Sequence, residues 1–193
     1  MAGMPGHFFL ALPARIPAVK GCDNIYLIGM MGAGKTTIGR HLARRLKRRF
    51  LDADHEIEAR TGVSIPVIFE IEGEAGFRRR ESQVIQDLSR EKELVLATGG
   101  GVVMDPENRR CLACSGIVVY LCVPPDVLWE RTRHDKGRPL LQVGDPRGRI
   151  EQLHAQRDPL YREIADIVIV GGRQAPSALA KKLEQEILAL CEQ

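Results

Sequence analysis

The run Gly29-Met30-Met31-Gly32-Ala33-Gly34-Lys35-Thr36 follows the pattern G-x4-GK[ST]. Its chemistry is phosphate binding. Glycines let the backbone wrap a phosphate with several N–H groups turned inward, and a helix starting there adds the positive end of its dipole. Lys35 can reach the β- and γ-phosphates of a nucleoside triphosphate, and the Thr36 hydroxyl is a ligand type for Mg²⁺. A dinucleotide-binding turn is excluded, because Thr37 stands where that fingerprint wants a third glycine or alanine, and Lys35 would have no task.

Two carboxylates follow, Asp52 and Asp54, at the end of an apolar stretch that reads as a strand. In extended backbone, residues two apart share a face, so both could look into the crevice above a sheet. One would then serve the magnesium shell and the other the attacking hydroxyl. The alternative is that they merely open the next helix, with Asp54 as its cap. Arginines come next. Arg78, Arg79 and Arg80 lie in a row, about 100° apart if helical, so at most one or two share a pocket. Arg131, Arg133, Lys136 and Arg138 precede Pro139-Leu140-Leu141 in a glycine-rich stretch that suits a lid, and Arg157 can offer a fork to a carboxylate. For each arginine singly, a solvated surface position is the competing reading.

Alternating apolar runs and amphipathic segments position these groups, the pattern of an α/β domain with a parallel sheet. Strands are expected at 24–28, 50–53, 94–97, 117–123 and 166–170. Helices are expected at 35–48, 54–61, 64–91 (interrupted near Gly73–Gly76), 126–132, 149–163 and 176–190, with 133–148 left as a mobile loop. The third strand runs into Thr98-Gly99-Gly100-Gly101. No linker divides the chain, so one domain over 23–193 is expected, its substrate-binding region at about 52–91. Residues 1–22, with three prolines and no acidic residue, read as a flexible tail.

With 44% hydrophobic and 27% charged residues, the composition is that of an ordinary soluble protein, and a net charge of +3 gives no case for a nucleic-acid partner. No run is apolar enough to span a bilayer. The five cysteines do not read as a disulfide framework, and Cys111-x-x-Cys114 lacks the second pair a zinc site needs. Free thiols in a reducing compartment are the expectation, and with them a cytoplasmic location.

Taken in order, GMMGAGKTTIGR, FLDADHEIE, IFEIEGEAGFRRRE, LATGGGVV, VVYL, RPLL and R-D-P-L-Y-x-E-x-A-D resemble the shikimate kinase family from about Asn24 to the end of the chain. The resemblance implies a three-layer phosphate-loop kinase fold, a five-stranded parallel sheet in the order 2-3-1-4-5, and transfer of the ATP γ-phosphate to the 3-hydroxyl of shikimate. It implies that Gly32, Ala33, Gly34, Lys35, Thr36 and Thr37 hold ATP, with Thr36 and, through water, Asp52 on Mg²⁺. Asp54 would bind the shikimate hydroxyls and act on the 3-hydroxyl. Arg78 and Arg157 would grip the carboxylate, and Gly99, Gly100 and Gly101 would line the substrate. Arg138 would meet the γ-phosphate from the lid, and Arg131 would lie against adenine. Lys35, Asp54 and Arg138 are thus the expected catalytic residues, in an enzyme expected to act as a monomer. A gluconate-type kinase and a non-catalytic nucleotide-binding module are the alternatives.

Overall fold

The computed structural model describes residues 21–135, 137–172 and 174–192. The expected tail therefore lies outside the described residues except for its last two positions, and so does Lys136. Five parallel strands, β1 (Ile25–Ile28), β2 (Arg49–Asp52), β3 (Leu94–Ala97), β4 (Ile117–Cys122) and β5 (Ile167–Val170), form one sheet in the order β2-β3-β1-β4-β5. This is the order that the resemblance implied.

The central strands carry no hydrophobic–polar alternation because both faces are covered, as parallel sheets require. Every residue of β1 and β3 is buried, and β4 is buried up to Tyr120-Leu121. Register pairs Ile25 with both Val95 and Ile117, so the start of β1 sits at the middle of the sheet. Each fully buried Leu, Ile or Val contributes about 1.5–3 kcal/mol, which makes this sheet the rigid base on which the loops at its C-terminal edge stand. β5, at the edge, alternates: Ile167 and Ile169 point inward while Val168 and Val170 are exposed.

The described residues form seven helices: α1 (Lys35–Leu46), α2 (Ala53–Thr61), α3 (Ile65–Leu88), α4 (Pro106–Ser115), α5 (Pro125–Thr132), α6 (Pro146–Ile164) and α7 (Pro176–Cys191). Gly62, at φ 72°, ends α2, and Gly73, at φ 69°, breaks the helical path inside α3, as expected from the glycines there. Arg45 of α1 reaches Glu184 of α7 at 2.5 Å.

Four expectations need correction. β2 stops at Asp52 instead of Ala53, because Asp52 is the N-cap of α2 and accepts the Asp54 amide at 3.1 Å. Asp54 is therefore in the first helical turn and does not share an extended strand with Asp52. The segment 106–115 is helical, with Asp105 capping and Pro106 in the first turn, a start signal that went unread. The expected loop of 133–148 ends at Asp145, whose side chain caps α6, and it contains a short 3₁₀ turn at Pro139–Leu141.

Finally, Cys22 and Cys191 are joined by a disulfide, with Cα atoms 6.0 Å apart, whereas free thiols were expected. Reading spacing along the chain could not pair residues 169 positions apart. They meet because β1 begins at the end of the sheet where α7, running back antiparallel, finishes. Cys111, Cys114 and Cys122 are free. Closing so long a loop constrains the unfolded chain, typically for about 2–4 kcal/mol. Under oxidising conditions Cys22→Ser should therefore lower Tm by roughly 5–15 °C. In excess dithiothreitol the two proteins should melt together. Coincident melting curves without reductant would show that the bond contributes nothing.

Candidate active site

The backbone between β1 and α1 is left-handed at Gly34, φ 95°, which brings the following amides round toward one point. α1 has no side-chain cap and no acidic residue in its first turn, so its leading N–H groups remain available to an anion. Lys35 folds back under this loop and donates from Nζ to the carbonyls of Gly29, at 2.8 Å, and Met30, at 3.0 Å. Burial lowers the Lys35 pKa to about 8, against the opposing pull of Asp54 and Asp52.

Asp52 ties the loop to the next element. Its Oδ2 accepts from the Thr36 hydroxyl at 2.6 Å while Oδ1 caps α2. A hydroxyl and a carboxylate side by side fit a magnesium ion that takes one directly and the other through water. Among the described residues no group of three or more His, Cys, Asp or Glu could hold a metal unaided. The remaining ligands at such a site would come from phosphate oxygens, which is the usual arrangement for Mg²⁺.

Asp54 lies one step deeper. Burial and then the neighbouring Asp52 charge raise its pKa, and its Oδ1 is buried without a hydrogen-bond partner. Across the cleft, Arg78 on α3 donates to Glu81 at 2.7 Å and Glu74 at 2.9 Å. Burial opposes the Arg78 charge, but Glu81 and Glu74 outweigh it and keep the guanidinium above its ordinary pKa. Glu81 is fully buried. Burial raises its pKa despite Arg78, and its Oε1 has no partner. Arg157, on α6, is 2% exposed; Nη1 donates to the Gly100 carbonyl at 3.1 Å, while Nε is buried and unpartnered. Burial lowers its pKa below the usual arginine value.

The Gly99–Gly101 turn fills the space between these groups. A methyl group at Gly99 would overlap Glu81 Oε1 and come within 3.1 Å of Asp54 Oδ1. One at Gly100 would meet the Met31 amide of the phosphate loop at 3.1 Å, and one at Gly101 would overlap the Arg78 guanidinium. On the far side, Arg138 pairs with Asp135 at 2.7 Å, and Arg131 donates to the Gly32 carbonyl at 3.1 Å and to that of Gly172.

Most of these groups line one cleft of about 560 Å³, with Phe69 and Phe77 among its apolar walls. Gly32, Gly34, Lys35, Thr36, Thr37, Asp52, Asp54, Arg78, Gly99, Gly100, Gly101, Arg131, Arg138 and Arg157 are all on its lining. Ala33 is not: its methyl group is buried in the core, and its amide donates to Met30. Arg80 is held by Glu72 at 2.6 Å, away from the cleft. Glu81 was missed in the sequence, although its position three residues after Arg78 is the spacing of a helical ion pair.

A family model described as shikimate kinase matches residues 31–188. The shikimate kinase of Aromatoleum aromaticum is 65% identical over 163 residues, covering 84% of this chain and 93% of that one. That of Dechloromonas aromatica is 61% identical, covering 90% and 94%. Among solved structures, shikimate kinase from Acinetobacter baumannii in complex with shikimate superposes with a TM-score of 0.86. It is 53% identical and covers 89% of this chain and 96% of that one.

The buried lysine gives the phosphate loop a measurable signature. Below about pH 8 Lys35 carries its charge in the free protein, and above it the amine is neutral. A phosphate needs the charged form, so binding at higher pH must take up a proton. Metal-free ADP should therefore lose affinity above pH 8, by up to about tenfold per pH unit. Calorimetry at pH 8.5 in buffers of different ionisation enthalpy should register that proton, and Lys35→Met should abolish it. A pH-independent affinity between 7 and 9.5 would contradict the assignment.

Proposed function

The chain belongs to the shikimate kinase family, and we propose that Lys35, Asp54 and Arg138 carry out its phosphoryl transfer while Arg78 and Arg157 hold the acceptor by its carboxylate. The activity is ATP-dependent phosphorylation of shikimate, a step of aromatic amino-acid biosynthesis. What carries the assignment is convergence. Two arginines, a lysine and two aspartates face one cleft, with Asp54 Oδ1 and Arg157 Nε buried and still lacking partners.

ATP lies with its phosphates on Gly32–Thr37 and its adenine toward Arg131. Thr36 and, through water, Asp52 would hold Mg²⁺, which would supply neutralisation of phosphate charge. Shikimate sits between Asp54 and the Gly99–Gly101 turn, whose N–H groups face it, and its carboxylate meets the guanidinium forks of Arg78 and Arg157. Asp54 accepts a hydrogen bond from the 3-hydroxyl. Its raised pKa makes it the stronger proton acceptor as that hydroxyl attacks in line. Lys35 and Arg138 bear on the charge of the moving phosphoryl group, and little covalent work is left to the protein. The unit spans 23–193, with substrate-binding region 52–91 and a lid over 133–148. It works as a monomer in the cytoplasm, with no nucleic-acid or membrane partner; no described helix is long and apolar enough to cross a membrane.

A coupled ADP-release assay with Mg·ATP tests this reading by comparing shikimate, gluconate and a nucleoside monophosphate. Release is expected with shikimate alone. Lys35→Ala and Arg138→Ala should cut kcat by about 100-fold or more with little change in KM. Arg78→Ala and Arg157→Ala should raise the KM for shikimate by roughly 10- to 100-fold. Wild-type KM in both arginine variants would remove the carboxylate clamp. ATP binding with no turnover of any acceptor would point instead to a non-catalytic nucleotide-binding module.

A further inference from the structure

Tyr161 follows Arg157 by one helical turn on α6, so their side chains lie on one face. Tyr161 is completely buried, and its hydroxyl donates to the Gly100 carbonyl, the same oxygen that accepts from Arg157 Nη1. Burial raises the Tyr161 pKa well above its ordinary value, so the hydroxyl keeps its proton and remains a donor. The ring is held from behind. It stacks on Tyr120 of β4 at 4.9 Å between centroids, with the planes 27° apart. Tyr120 in turn donates to Asp158 at 2.7 Å, and Asp158 accepts from Arg162 at 2.8 Å. Hydrogen bonds at either end and the ring stack between them thus link α6 to β4 and to Gly100.

Gly100 has substrate-side and nucleotide-side neighbours at once. A methyl group on its Cα would press on the Met31 amide of the phosphate loop, and its carbonyl receives the arginine assigned to the acceptor carboxylate. A carbonyl has two lone pairs, and Tyr161 and Arg157 take one each. We propose that Tyr161 is a positioning residue for acceptor binding: by holding Gly100 from the second lone pair, it fixes the turn and leaves Arg157 Nε aimed at the anion. Without that hydroxyl, Arg157 would have to hold the turn and grip the carboxylate with the same fork. This rests on the shikimate kinase reading given above.

Tyr161→Phe removes one oxygen and keeps the stacked ring, and the Gly100 carbonyl retains Arg157, so the fold is expected to persist with Tm within about 4 °C. The KM for shikimate should rise about tenfold, the worth of one hydrogen bond to a well-placed group. The KM for ATP should stay within about twofold. An unchanged shikimate KM would overturn the inference. So would a matching rise in both KM values with a lower Tm, which is the mark of a hydroxyl that only stabilises. A second variant pair guards against misfolding of the first: in an Arg157→Lys background, where the fork is gone, adding Tyr161→Phe should lower kcat/KM for shikimate by less than about threefold. Full tenfold additivity there would count against coupling through Gly100. Wild-type protein that fails to turn over shikimate would overturn the underlying reading and this inference together, a result distinct from either of the others.

Discussion

The cleft is organised around a constraint of space: where β3 ends, Gly99, Gly100 and Gly101 present no Cβ, and the groups of the site stand in the room that this leaves. Glu81 and Asp54 press on the first glycine, the phosphate loop on the second and the Arg78 guanidinium on the third. Protein interiors are packed too densely for such neighbours to step aside by the width of a methyl group. The turn is therefore a spacer that sets the separation of nucleotide side from acceptor side. It can do so because β3 lies between β1 and β2 and hydrogen-bonds to both, so the loops after all three strands start from one rigid edge.

Charge is arranged with the same economy. Lys35, Arg78 and Arg157 are set among Asp52, Asp54 and Glu81 at a depth where an unpaired ion is costly. Several of their polar atoms stay without partners: Asp54 Oδ1, Glu81 Oε1 and Arg157 Nε. Buried polar groups are nearly always hydrogen-bonded, and exceptions cluster where a ligand completes the set. An anionic group would satisfy Arg157 Nε, whereas Asp54 Oδ1 and Glu81 Oε1 call for a donor, such as a hydroxyl of the same ligand.

How much of this was legible depended on whether a feature is local. Gly29–Thr36 is a local signal with strand before and helix after, and it was readable outright. So were the fully apolar β3 and the break at Gly62. Asp52 and Asp54 were found, but the strand–helix boundary between them was not, because an aspartate suits the end of a strand and the cap of a helix equally. The helix after Asp105-Pro106 went unread because α4 buries little apolar surface and lacks a strong stripe; only Asn108 and Leu112 are buried. Arg78 could be nominated but not separated from Arg79 and Arg80, since only the packed α3 shows which one faces Glu81. Tyr161 stands in the R-D-P-L-Y run but no role could be read for it there: an aromatic residue on a helix is ordinarily core, and its polar end matters only once α6 is laid across Gly100.

The covalent link between Cys22 and Cys191 makes residues 22 to 191 a closed ring, although translation has to give the chain two ends. In such a ring the choice of first residue is an accident of the gene. The point to reopen it is Gly144, exposed in the segment between the 3₁₀ turn and α6, with open space where a side chain would stand. A protease cutting there would leave one molecule where an unlinked chain would give two. A gene rewritten to begin there, with the old ends spliced, would encode the same sheet in a circularly permuted order, with α6, β5 and α7 leading and the phosphate loop following them.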